Sequence, residues 1–389
     1  MFQEIMIELL HGAGKFFMNP LLYIILLFSV LLGYTRVKRE RRHFRVRVDE
    51  GLAEFRGLLK QSWLAALVLS LIIAGAGLVV PKGWLVLFCG FMLAAVLLFR
   101  YQAGAPIYTA GLAALAYWLL GRYDVATDWP VIGWTYAGIT GEEAVTITVI
   151  AGLLTAAEGL LIRKYGARDA SPFLLETARG LQGAAYRTKR LWMLPLLFAI
   201  PGGPIGEMLP YWPQFTLGGT SYYLIFIPAV IGFEHTAKHI LPEQVYGGYG
   251  RAVFATGLGV AAGALLGLWE PLAGWAVLAI GLIVRMVIAI KAVVQENKGN
   301  FAVSPRSDGV VVAAVLPESP ADKMGILPGE TIRKVNGITV TDERELYEAI
   351  QVNAAHCRVE VLNREGELRL CQHVIFRHDH HRMGLLVVR

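Results

Sequence analysis

Charge is what this chain has least of. Only 17% of its 389 residues are Asp, Glu, Lys or Arg, where a soluble chain averages about 25%. With 55% hydrophobic residues and a mean hydropathy of +0.51, that scarcity excludes an ordinary soluble enzyme. It leaves a polytopic membrane protein with a minor soluble part. Cysteine is also scarce. The three present are Cys89 in an apolar run and Cys357 and Cys371 near the end. An odd count excludes a simple disulfide framework and fits a reduced cytoplasmic tail. The opening "MFQEIMIELL" lacks a cationic region and carries Glu4 early, so it does not read as a signal peptide. Phe2, Ile5, Met6, Leu9, Leu10 and Ala13 recur at helical spacing, which predicts that residues 2–13 lie along a membrane surface.

Catalytic signatures are missing as well. The chain contains no G-x-S-x-G, no P-loop, and no G-x-G-x-x-G that opens a helix after a strand. An intramembrane metalloprotease would need H-E-x-x-H, two zinc-binding His one turn apart and a Glu to activate water. The nearest approach is "IGFEHTAKHI". There His235 and His239 share a helical face, but Glu234 precedes the first His, turned by about 200° from the required position. A second His cluster, "RHDHHR" at 377–382, reads as a solvated loop. No cofactor, metal site or nucleic-acid partner is expected, and the chain does not read as an enzyme. A transporter stays open because "PGGPIGEMLP" has the look of an unwound helix lining a substrate site, although no second broken segment matches it.

What is present is a series of apolar runs. A spanning helix needs about 20 mostly apolar residues. Candidates fall at 17–34, 63–80, 84–100, 106–120, 144–162, 191–209, 221–239, 252–268 and 272–290. The run at 106–120 is short and that at 191–209 is rich in Pro and Gly, so roughly seven to nine crossings are predicted. The basic runs "RVKRERRHFRVR", "RKYGAR" and "YRTKR" mark cytoplasmic ends, and the acidic, Trp-rich loop 123–143 reads as external. Nine crossings would put the N-terminus outside and the tail in the cytoplasm. The first basic run also suits contact with anionic lipid.

Within "ATGLGVAAGALLG", Ala255, Gly259, Gly263 and Gly267 recur every four residues. Such a face lets helices approach closely, either inside the molecule or between two copies of a homo-oligomer. Glu158, Glu234 and Arg285 lie in or near spans, where a charge marks a candidate functional site. Structural roles are expected for them: Arg285 reaching towards the cytoplasm beside Lys291, and Glu158 paired with a basic residue of a neighbouring helix.

After "KAVVQENKGN" the pattern changes to short strands, which divides the chain into a membrane domain (1–295) and a cytoplasmic domain (296–389). "GVVVAAVL" reads as a buried strand. Ser319 and Pro320 start a one-turn helix that Gly325 ends. "ETIRKV" and "ITV" flank the hairpin turn Asn336-Gly337. A longer helix follows, with Asp342 and Glu345 at capping-box spacing and Leu346, Ala349 and Ile350 on one face.

The segment "SPADKMGILPGETIRKVNG" resembles the bacterial PDZ signature, with Glu330 where Asp is usual. The resemblance implies a small α+β domain of the circularly permuted type that captures a partner's extended end as an added strand. In that arrangement "HRMGLLVVR" presents the backbone amides: Met383, Gly384 and Leu385 form the carboxylate loop, Leu386 continues the strand, and Leu346 and Ile350 line the groove. "NFAV" (300–303) competes for the strand's place.

The whole layout is "FFMNPLLYIILLFSVLLGYTRVKRERRHF", then a multi-span body, then "DHHRMGLLVVR" closing a PDZ domain. It resembles the MinJ family, cell-division topology factors of Gram-positive rods. The resemblance implies a non-enzymatic adaptor, concentrated at septum and poles. Such an adaptor would bridge the polar scaffold DivIVA to the ATPase MinD, which carries the division inhibitor MinC, with other divisome proteins as further partners.

Overall fold

A computed structural model describes residues 14, 16–123, 140–168, 170–176, 180, 182–201, 214–217, 220–297, 299–353, 356–374 and 383–388. The expectations for residues 2–13, the external loop, "PGGPIGEMLP" and the 377–382 His cluster lie outside the described residues.

Among the described residues the apolar part forms eight α-helices: α1 (Pro20–Phe44), α2 (Ala53–Lys60), α3 (Trp63–Gly75), α4 (Lys82–Leu97), α5 (Pro106–Arg122), α6 (Gly141–Tyr165), α7 (Pro242–Gly263) and α8 (Pro271–Asn297). Residues 53–75 run on through α2 and α3. With α1, α6, α8 and the stretch Pro242–Leu268 they make, among the described residues, five helices long and apolar enough to cross a membrane. Local chemistry sets the helix starts. The Asn19 side chain accepts from the Leu21 amide ahead of Pro20, and Thr140 with Glu143 closes a capping box on α6. Pro106, Pro242 and Pro271 occupy first-turn positions, where a missing N–H costs nothing.

Two expected helices are strands. Of the expected helices at 191–209 and 221–239, the described residues 191–201 and 221–237 lie in a long antiparallel hairpin of β2 (Gln182–Pro201) and β4 (Thr220–Ala237). It is flanked by β1 (Ser171–Glu176) on β2 and β3 (Gln214–Leu217) on β4. The apolar stretch of β2 from Leu191 to Ile200, paired with Gly232 back to Tyr223, extends about 33 Å at the strand rise, enough for a hydrocarbon core of about 30 Å. An open hairpin at that depth needs its edges satisfied from within the protein. The neighbours supply this: Ser62 Oγ donates to the Met193 carbonyl (2.6 Å), the Leu197 amide to Ser70 Oγ (3.2 Å), and the Val80 amide to the Ala199 carbonyl (3.2 Å). Pro195 stands opposite Pro228. In two helices each proline would have removed a hydrogen bond and clashed one turn back.

Helices α6 and α7 touch through glycine. A Cβ at Gly159 would lie 2.3 Å from the Phe254 amide nitrogen, and one at Gly257 would lie 2.2 Å from that of Ala156; Gly152 and Gly250 are equally tight. The glycine face expected at Ala255, Gly259, Gly263 and Gly267 is therefore not the one that closes this contact. Ala255 and Gly259 are exposed, with nothing within 4 Å of a Cβ at Gly259. Gly263 meets Val277, and Gly267 is buried against Val145 and Gly274.

The tail is a six-stranded sheet, β5 (Val310–Val315), β6 (Thr331–Val335), β7 (Ile338–Thr339), β8 (His356–Leu362), β9 (Leu368–Val374) and β10 (Leu385–Val387), with helices α9 (Pro320–Lys323) and α10 (Glu343–Val352). The strand order is β10-β5-β6-β8-β9, with β7 on β6. The turn residues read from sequence behave as expected. Ser319 caps α9, Gly325 has φ +68°, and Asn336 and Gly337 have φ +52° and +85°.

Candidate functional site

The tail strand β10 pairs with β5 along one edge and ends the sheet on the other. The Leu316 amide donates to the Gly384 carbonyl (2.8 Å) and the Val388 amide to the Val311 carbonyl (3.0 Å). Alternation along the pair then turns the amides of Leu385 and Val387 away from β5. The loop ahead of the strand is left-handed at both Met383 (φ +55°) and Gly384 (φ +78°). The Met383 carbonyl is held by the Ala321 amide at the start of α9 (3.0 Å). Gly384 has no room for a side chain, because a Cβ would sit 2.2 Å from that of Ser319. A bulky or proline residue there would therefore disturb the loop itself.

Side chains alternate to two cores. Met383, Leu385 and Val387 pack with Leu346, Ala349 and Ile350 of α10 and with Val310 and Val312 of β5. Leu346 is fully buried, Ile350 is 4% exposed and Leu385 is 2% exposed, so all three belong to the core of the domain. An open recess of about 590 Å³ lies beside the N-terminal half of α10, walled by Glu343, Tyr347 and Val388 together with Arg45 and Arg306.

The second core joins the tail to the hairpin. Leu386 and Val388, with Val311, Ala313 and Ala314, pack on Phe44 of α1, on Ala184, Tyr186 and Ala237 of the hairpin base, and on Leu241. The Tyr186 hydroxyl donates to the Ala313 carbonyl (2.6 Å), and Arg364 pairs with Glu243 (2.9 Å). The "NFAV" strand does not add to β10. Val303 bridges to Ala184 instead, and the Ala302 amide donates to the Lys238 carbonyl (2.8 Å). Sequence reasoning missed this interface; its only trace was the unbroken apolar run of β5.

Glu330 keeps the carboxylate role at its turn, accepting from the Leu327 amide (2.9 Å) and from Arg369 (2.9 and 3.0 Å). Arg285 does not reach for the cytoplasm. It is 1% exposed, and its Nη2 donates to Glu158 (2.5 Å) and its Nη1 to the Tyr249 hydroxyl (2.9 Å). Lipid offers no water at that depth, so inward pairing satisfies both charges where reaching outward would bare Glu158. Glu234 pairs with Arg187 and Lys189 across the hairpin. Because His235 lies among the last residues of β4 and His239 follows the strand's end, the two do not share a helical face, and among the described residues no group of three His, Cys, Asp or Glu is placed to hold a metal. Burial pushes the Cys357 thiol up to about 11, which makes it a core residue and not a reactive one.

A family model for the PDZ domain matches residues 311–364. Fold and site thus define a helical membrane protein that carries a PDZ domain near its C-terminal end. The chain is 32% identical over 384 residues to the cell division topological determinant MinJ of Bacillus subtilis (strain 168), covering 98% of this chain and 96% of that protein. Proteins described as probable cell division topological determinant MinJ in Lacticaseibacillus paracasei and Lacticaseibacillus casei (strain BD-II) are each 25% identical over 376 residues, covering 93% of this chain and 95% of theirs. The chain belongs to the MinJ family of cell division topological determinants.

Proposed function

We propose that this chain is a membrane-anchored adaptor in division-site selection, holding a DivIVA-like polar scaffold and a MinD-like ATPase with its MinC inhibitor at the same membrane sites. The observation that carries this reading is the end-to-end likeness to a named topological determinant, PDZ domain included. The architecture supports it. If the shorter helices α4 and α5 and the two long hairpin strands cross together with the five long apolar helices, the count is nine crossings, which brings the basic ends Arg163-Lys164 and Arg187–Arg190 to the side that carries the tail. By the positive-inside rule that side is cytoplasmic, where both proposed partners reside. The docked tail presents its recognition edge at a fixed height above the membrane, and a fixed presentation costs less ordering entropy on binding than a tethered one. The PDZ domain at 296–389 is the recognition module of this reading, and Met383–Leu386 with α10 its capture edge.

Co-purification tests it. The full-length chain, solubilised from a rod-shaped host, should retain both a DivIVA-like and a MinD-like protein. Replacing Tyr347 of the recess by Ala should reduce the recovery of one of them while the domain stays folded, with only a modest fall in thermal midpoint because Tyr347 also packs on the domain core. Recovery of neither partner by the intact chain would refute the bridge.

A further inference from the structure

Apart from the tail, a crevice of about 1050 Å³ lies between the hairpin, the turn at Tyr101–Gly104 and the last half of α8, and the adaptor reading gives it no role. One wall is apolar: Leu112 of α5 and Leu282, Met286, Ile290 and Val293 of α8. The opposite wall, at the level where the hairpin leaves its apolar stretch, carries Arg100, Arg187, Lys189 and Lys238. Among the described residues two carboxylates line the same space. Glu234 is shared between Arg187 and Lys189, and Glu296 is already occupied by the amides of Lys238 (2.6 Å) and His239 (2.7 Å). Lys189 is steered into the crevice by the Tyr101 ring, 4.7 Å away. The Nε of Arg187 is buried with no hydrogen-bond partner among the described residues. Four cations thus face two committed anions at one end of a groove whose other end suits acyl chains. A helical membrane protein places such basic pockets on its cytoplasmic side to hold anionic headgroups.

We propose that this crevice binds one anionic glycerophospholipid of the cytoplasmic leaflet, its phosphate set among Arg187, Lys238 and Arg100 and an acyl chain laid along Met286 and Ile290. The leaflet rests on the orientation argued above; the binding itself does not. Charge complementarity selects the occupant, since a zwitterionic headgroup would bring its own cation to a site with excess positive charge.

Native mass spectrometry of the full-length protein in detergent, with added phosphatidylglycerol or phosphatidylcholine, tests this directly. One phosphatidylglycerol should stay bound under conditions that strip phosphatidylcholine. The double variant R187Q/K238Q should weaken that binding about 30-fold, or about fivefold per charge removed. Met286→Trp, which keeps the charges and fills the apolar wall, should also weaken it and carries the test if the double variant does not fold. Unchanged retention in folded variants, equal retention of phosphatidylcholine, or full displacement by inorganic phosphate alone (a free-anion site) would each overturn the assignment. None of these readouts depends on division partners, so the adaptor reading and the lipid site fail separately.

Discussion

At the scale of single residues, the buried Glu158–Arg285 pair is the point of greatest consequence in the membrane part. Both side chains are all but inaccessible, and Tyr249 and Tyr108 pack around the guanidinium. Breaking such a pair by removing one partner costs about 3–5 kcal/mol, whereas replacing both by apolar residues is often neutral. Glu158→Leu alone should therefore lower the midpoint of thermal unfolding in detergent markedly. The double variant E158L/R285M should recover most of that loss. A double variant as unstable as the single one would show that the charges do more than pair. The sequence exposed half of this. A glutamate deep in an apolar run needs a cation, but which one depends on how α6 and α8 rotate, and Lys291 made an outward course for Arg285 look equally open. The same limit applied to the basic run of α1, read as an orientation signal and a contact for anionic lipid. Arg36 in fact turns inward to Glu40 (2.9 Å) and Glu54 (2.5 Å).

At the scale of elements, the tail was far more legible than the membrane part. Ser319, Gly325, Asn336-Gly337 and Asp342 each need only local geometry, and each does in the structure what its residue type dictates. The hairpin was not legible. An unbroken apolar run loses the period-2 signal when both faces are buried, and length alone then argues for a helix. The remaining hints were Pro195 and Pro228 and the aromatic run "SYYLIFI". Small-residue spacing was likewise ambiguous: the Gly259 face fits a close-packing motif as well as the Gly257 face does, and only the neighbouring helix decides. The two faces give opposite expectations. Gly257→Leu should disrupt the α6–α7 contact and lower the yield of folded protein, because no space exists beside the Ala156 backbone. Gly259→Leu should leave folding unchanged. Equal damage from both would contradict the packing described, or reveal that the Gly259 face is covered by a second copy.

At the scale of the whole molecule, the PDZ domain is built into the membrane part and not hung from it. β5 and β10 are shared between two cores, one belonging to the domain and one to the hairpin base, Phe44 and Leu241. Leu386→Glu should loosen the tail, seen as faster proteolysis between residues 298 and 310, while Leu385→Glu should unfold the domain itself. This interface joins segments far apart in the chain and left no periodicity to read. The general plan, a basic-ended membrane body followed by a PDZ domain, was plain from composition and one motif. The central claim is that this docked assembly is a positional adaptor, and the position of a fluorescent fusion in live rod-shaped cells tests it most directly. The account predicts foci at septa and poles that disperse when the DivIVA-like scaffold is removed. An even membrane signal, unchanged by that removal, would contradict it.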